Sequence, residues 1–108
     1  MTQDKAMQGL LILIVSPKLE EMLVDMLLQQ AAISGFTTSN VSGHGSSHGN
    51  GKVQLSLVEQ VTGRQQRVQF MLHAALADLQ TLITDLKARF QNTDIHYILM
   101  PIADTQAL

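Results

Sequence analysis

Two histidines four positions apart, His44 and His48, lie in the stretch Ser42-Gly43-His44-Gly45-Ser46-Ser47-His48-Gly49-Asn50-Gly51-Lys52. The neutral imidazole ring is a common ligand for zinc, copper and nickel, and a pliable backbone brings two such rings onto one ion. Two ligands leave a site incomplete. A third would come from Glu59, His73, His96, a neighbouring subunit or water. The plainer reading is that of solvated histidines in a polar loop. His73 and His96 fall at strand positions, where isolated histidines more often serve structure than ligation.

The glycines at 43, 45, 49 and 51 open backbone conformations closed to other residues, and the stretch holds no side chain for a core. It therefore predicts a flexible loop, about residues 42–53, that displays ligating and hydrogen-bonding groups. The glycine spacing also suggests a cradle of backbone N–H groups for phosphate. A phosphate loop, however, ends in Gly-Lys-Ser/Thr and runs into a helix. Here Gly51-Lys52 is followed by Val53 and strand-like sequence, so the helix N-terminus that would hold the anion is missing. Arg64 and Arg67, near Lys52 if the two sides of the loop converge, are the anion candidates, since a guanidinium matches phosphate or carboxylate with its planar fork. A solvated charge or an ion pair between subunits is the alternative for both. Gly43, His44, Gly45, Arg64 and Arg67 are thus the candidate ligand-binding residues, and His44 and His48 the candidate metal ligands.

No serine sits in a Gly-x-Ser-x-Gly setting and no acid pair stands beside a histidine, so neither nucleophilic nor general acid–base catalysis has its constellation. The expectation is a protein that is not an enzyme. An acyl-phosphate hydrolase on the same kind of fold would show turnover of a generic acyl phosphate, and none is expected.

The elements that position these residues follow from hydropathy patterning. Residues 10–15 are apolar without alternation, which predicts a central strand buried on both faces. Ser16 and Pro17 then suit the N-cap and first position of a helix, with Glu20 and Glu21 near its positive end. Leu19, Met22, Leu23, Met26, Leu27 and Ala31 form its apolar stripe, and Gly35 supplies a stop. Residues 36–42 predict a half-exposed edge strand leading into the loop. Apolar character returns at Val53, Leu55, Leu57 and Val61, and from Gln66 onward Val68, Phe70 and Leu72 alternate with Arg67, Gln69, Met71 and His73, which predicts one long strand with a bend near Gly63. Asp78 opens a second helix with a stripe of Leu79, Leu82, Ile83, Leu86 and Phe90. Residues 95–102 form a last strand, closed by Pro101.

At 108 residues the chain suits one domain, 1–108, with an aliphatic core, since 45% is hydrophobic and 4% aromatic. The net charge of -2 and the scarcity of aromatics on the inner strands, none on the first and only Phe70 on the third, argue against nucleic acid. With no cysteine, disulfides and thiolate ligands are excluded. The early apolar run is too short for a membrane span and lacks the tail of a signal peptide, so the expected location is cytoplasmic, without membrane insertion.

Strand, helix, strand, strand, helix, strand is the split βαβ order of α+β ferredoxin-like domains. Its antiparallel sheet has the first and third strands inside and both helices on one face. A central strand apolar on both sides then calls for cover on the second face. No third helix remains to provide it, so self-association is expected.

Within this order, the glycine-rich loop between the second and third strands resembles the T-loop of the nitrogen regulatory protein PII superfamily. More closely, Val41-Ser42-Gly43-His44-Gly45 with His48-Gly49, Glu59-Gln60-Val61, Gly63-Arg64-Gln65 and Asp94-Ile95-His96-Tyr97 look like small bacterial PII-like proteins of unassigned role, some of them linked to heavy-metal efflux. The chain is more distantly similar to CutA, a trimeric relative linked to divalent metal tolerance. The resemblance implies a homotrimer that holds small ligands, such as an adenine nucleotide, in clefts between subunits. It also implies a mobile loop that contacts a target protein, a membrane transporter among the options. Two features do not carry over. The nucleotide-gripping glycine and lysine loop before the last strand is replaced by Gln91-Asn92-Thr93, and residues 42–62 contain no tyrosine for nucleotidylation. A trimeric signalling protein is the expected function, and a divalent metal-binding protein of metal homeostasis the alternative.

Overall fold

The computed structural model describes residues 6–45 and 64–108. Strand β1 (Gln8–Val15) lies at the centre of a four-stranded antiparallel sheet, between β3 (Arg64–Ala75) and β4 (His96–Ile102), with β2 (Thr37–His44) outside β3. Helices α1 (Glu20–Leu28) and α2 (Leu76–Arg89) cover one face. The fold is the ferredoxin-like βαββαβ arrangement, with β1 and β3 inside as the hydropathy pattern predicts. Among the described residues no helix is long and apolar enough to cross a membrane.

The core forms where the helical stripes meet alternate strand residues. Leu11, Leu13 and Val15 of β1 and Val68, Phe70 and Leu72 of β3 pack beneath Leu23, Met26 and Leu27 of α1 and Leu79, Leu82, Ile83 and Leu86 of α2. Each such side chain withdrawn from water contributes roughly 1.5–3 kcal/mol. Phe36, just before β2, closes the core with its ring 6.0 Å from that of Phe70.

The expectation that β1 is buried on both faces is half met within one chain. Gly9, Leu11, Leu13 and Val15 are buried under the helices, whereas Leu10, Ile12 and Ile14, on the opposite face, are only half-buried. The register places Met71 and Ile98 beside Ile12, and His73 and Met100 beside Leu10. Apolar side chains therefore occupy the middle of a face that no described element covers, with Met71, Ile98 and Met100 exposed.

Several expected boundaries move. The first helix is shorter than its stripe suggested: Pro17–Leu19 is a 3-10 turn capped by the Ser16 hydroxyl, and α1 ends at Leu28. Leu23, Met26 and Leu27, spaced three and four apart, suffice to seat that helix, so Met22 faces solvent and Ala31 lies beyond it. The predicted loop from residue 42 starts later, because Ser42, Gly43 and His44 pair in β2 with Gln66, Gln65 and Arg64. Glycine's freedom includes the extended region, and a ladder partner selects it. β4 ends at Ile102 as expected, with Pro101 inside it; as an edge strand it tolerates a residue without an N–H. The strand expected from Val53 to Val61 lies outside the described residues. α2 begins at Leu76, two residues before Asp78, where the Leu76 N–H donates to the Met7 carbonyl at 2.7 Å.

Candidate functional site

β2 ends and β3 begins at one end of the sheet, and the turns from β1 into α1 and from α2 into β4 lie there too. The candidate ligand-binding residues gather at this end, but they divide between its two faces. Positions of one parity share a face of a strand, so Arg67, Gln65 and Gly43 stand with the apolar open face, while Arg64 and His44 share the other. Arg64 and Arg67 are three apart and do not form the joint basic pair that their closeness in sequence suggests.

Gly43 and Arg67 do come together. A Cβ at Gly43 would lie 3.5 Å from the Arg67 Cγ, an ordinary van der Waals contact, so the arginine stem passes close to this position of β2. The guanidinium then reaches over the end of β1 to Asp94, just before β4, with Nη2 2.6 Å from the carboxylate Oδ2, and it donates a second bond to the Gln65 side-chain oxygen. Arg67 is the one buried polar or charged side chain among the described residues. A cation so far out of water needs such an acceptor, and Asp94 supplies a charge-assisted bond. An incoming anion meets a guanidinium whose Nη2 already serves Asp94 and Gln65. Asp94 was absent from the candidate set: 27 residues separate it from Arg67 in the chain. Its sequence signals are its place in a polar turn just before an apolar strand and its membership of the segment Asp94-Ile95-His96-Tyr97.

Gly45 follows β2 with φ +122°, a conformation that favours glycine, and it turns the chain out of the sheet. His44 is exposed and paired in register with Arg64, a neighbour that disfavours a dication. His48 lies outside the described residues. Among the described residues no group of three or more His, Cys, Asp or Glu side chains is placed to hold a metal ion.

Solved structures with this fold include a DUF3240 family protein from Shewanella baltica OS155, with a TM-score of 0.74 at 22% identity over 96% of this chain and 99% of that one. CPII, a nitrogen regulatory PII-like protein from Thiomonas intermedia K12 solved with ADP, AMP and bicarbonate, aligns with a TM-score of 0.66 at 17% identity, covering 94% of this chain and 96% of that one. The Bacillus subtilis GlnK–ATP complex aligns with a TM-score of 0.61 at 14% identity, covering 94% and 88% respectively. Among curated proteins none matches the sequence. The PII-like architecture is thus the chain's own, and the match of residues 5–108 to the family model described as protein of unknown function (DUF3240) shows that the chain belongs to the DUF3240 family.

Proposed function

We propose that this chain is a PII-like regulatory protein without catalytic activity. It self-associates as a homotrimer through the open sheet face, binds a small anionic ligand between subunits at the Arg67 end of the sheet, and contacts a target protein through the segment between Gly45 and Arg64. The observation that carries the reading is the position of Arg67. Its guanidinium lies on the same face as the apolar patch of Leu10, Ile12, Ile14, Met71 and Ile98, at the end where β2 and β3 leave the sheet. Copies joined through that patch bring the Arg67 end of one chain to the border of the next, where a ligand touches both the interface and the base of the emerging segment. The ADP, AMP and bicarbonate of CPII and the ATP of GlnK support an anionic, nucleotide-type ligand.

Light scattering and a thermal-shift panel of ADP, AMP, ATP, bicarbonate, zinc and copper test it, because a ligand that binds the native state raises its stability. The expected result is three times the chain mass and stabilisation by an adenine nucleotide or bicarbonate that weakens in Arg67→Met. Stabilisation by zinc or copper alone, lost in His44→Ala with His48→Ala, would instead establish the metal-homeostasis alternative. A monomer that none of these ligands stabilises would remove both.

A further inference from the structure

We infer that the slot between α2 and β4 is a binding site for a small monocarboxylate with an apolar body. The helix rests across β1 and β3, so the helix-side face of β4 is only partly roofed, and Tyr97 remains 41% exposed there. The space left is a cavity of about 250 Å³. Leu13 forms its floor, Ile83, Leu86 and Phe90 one wall, and Ile95 and Tyr97 the other. Surfaces of this kind take an apolar ligand body, and the volume is below the ~300–1,000 Å³ of drug-sized pockets, which sets a small ligand.

One charge stands at the mouth. The Lys87 Nζ lies 5.5 Å from the centroid of the Tyr97 ring, and among the described residues Lys87 has no carboxylate partner. An ammonium held over an aromatic face at the rim of an apolar slot suits a ligand that ends in a single negative charge. Thr93, also in the lining, adds no donor, because its hydroxyl already donates to the Phe90 carbonyl at 2.5 Å. The Tyr97 hydroxyl is the other side-chain donor in the lining, and one cation with one hydroxyl fits a monocarboxylate and falls short of what a phosphate chain requires. The slot lies on the helix side of the sheet, opposite the face that carries Arg67, so this inference stands apart from the reading above.

Tyr97 reports on the slot directly, since the chain contains 1 tyrosine and no tryptophan. The full-length protein is titrated with sodium octanoate, octanol or octylamine while tyrosine emission is followed. Octanoate is expected to give a saturable change at sub-millimolar concentration, octanol to bind about fivefold or more weakly, and octylamine to give none over the same range. Lys87→Met, which keeps the apolar stem and leaves the melting temperature unchanged, is expected to bring octanoate down to the affinity of octanol. Binding of octylamine as strong as that of octanoate would reduce the slot to a greasy surface and overturn the assignment. So would octanoate affinity unchanged in Lys87→Met, or an absence of any change with octanoate.

Discussion

Arg67 keeps only 10% of its side chain in contact with solvent, whereas its partner Asp94 keeps 34%. The two ends of this ion pair are therefore not equivalent. Removing the arginine leaves a carboxylate that water reaches readily. Neutralising the carboxylate leaves a guanidinium held away from water without its charged partner, facing only the Gln65 oxygen and a neutral amide, at a larger desolvation cost. Asp94→Asn is accordingly expected to destabilise the fold by about 1–2 kcal/mol, and Arg67→Met by less, as read from urea unfolding. The same substitution has the opposite sign for ligand binding. If an anion takes the place of Asp94 on Arg67, Asp94→Asn replaces a charged competitor with a weaker neutral acceptor, and ADP or bicarbonate binds about threefold to tenfold tighter than to the parent protein. Calorimetry showing weaker or unchanged binding in Asp94→Asn would mean that Arg67 is a structural cation and the ligand lies elsewhere. Arg67 itself was legible in the sequence as an anion candidate. Its occupation by Asp94 was not, because a residue far along the chain becomes its neighbour only once β1, β3 and β4 are in register.

The elements show how far patterning reaches. Residues 10–15 announced β1, and the stripe of Leu79, Leu82, Ile83 and Leu86 announced α2, because burial imposes a period on long segments. Boundaries were set by local partners that carry no period: the 3-10 turn after Ser16, the pairing of Gly43 with Gln65, and the toleration of Pro101 at an edge. Gly9 is another such local constraint, since it was unremarkable in the sequence yet lies where α2 crosses β1. A Cβ there would come within 2.8 Å of the Leu76 Cδ1 and 3.0 Å of the Leu79 Cδ1. Leu79 is fully buried and has little room to retreat. Gly9→Val is therefore expected to cost about 1–3 kcal/mol through overpacking, despite valine's better strand propensity. Gly35→Ala, with nothing within 4 Å of an added Cβ, should stay within about 0.5 kcal/mol. Equal stabilities for these two variants would show that α2 does not press on β1 at this point.

At the scale of the whole molecule, the open sheet face sets the main physical demand. The cross-strand row Met71–Ile12–Ile98 is apolar from β3 to β4, with Leu10 and Ile14 on either side of it in β1. Polar or charged groups appear toward the rim, as His73, Gln69 and His96. An apolar centre with a polar border is the pattern of a surface that becomes buried on association. Burial against identical copies, as proposed, would recover about 25 cal/mol for each Å² of apolar surface withdrawn from water. A carboxylate placed at the centre of that row faces several kcal/mol of desolvation without a partner. Ile12→Asp is thus expected to lower the mass in solution to that of one chain while leaving the helix-side core and the circular dichroism spectrum intact, since Ile12 points away from Leu11, Leu13 and the helices. Gln80→Glu adds the same charge on the exposed side of α2 and should leave the assembly as it is. If the anion site lies between copies, Ile12→Asp also abolishes nucleotide or bicarbonate binding without touching Arg67, whereas octanoate binding in the α2–β4 slot persists. An Ile12→Asp protein that kept both its assembly and its anion binding would show that this face is not where the copies meet.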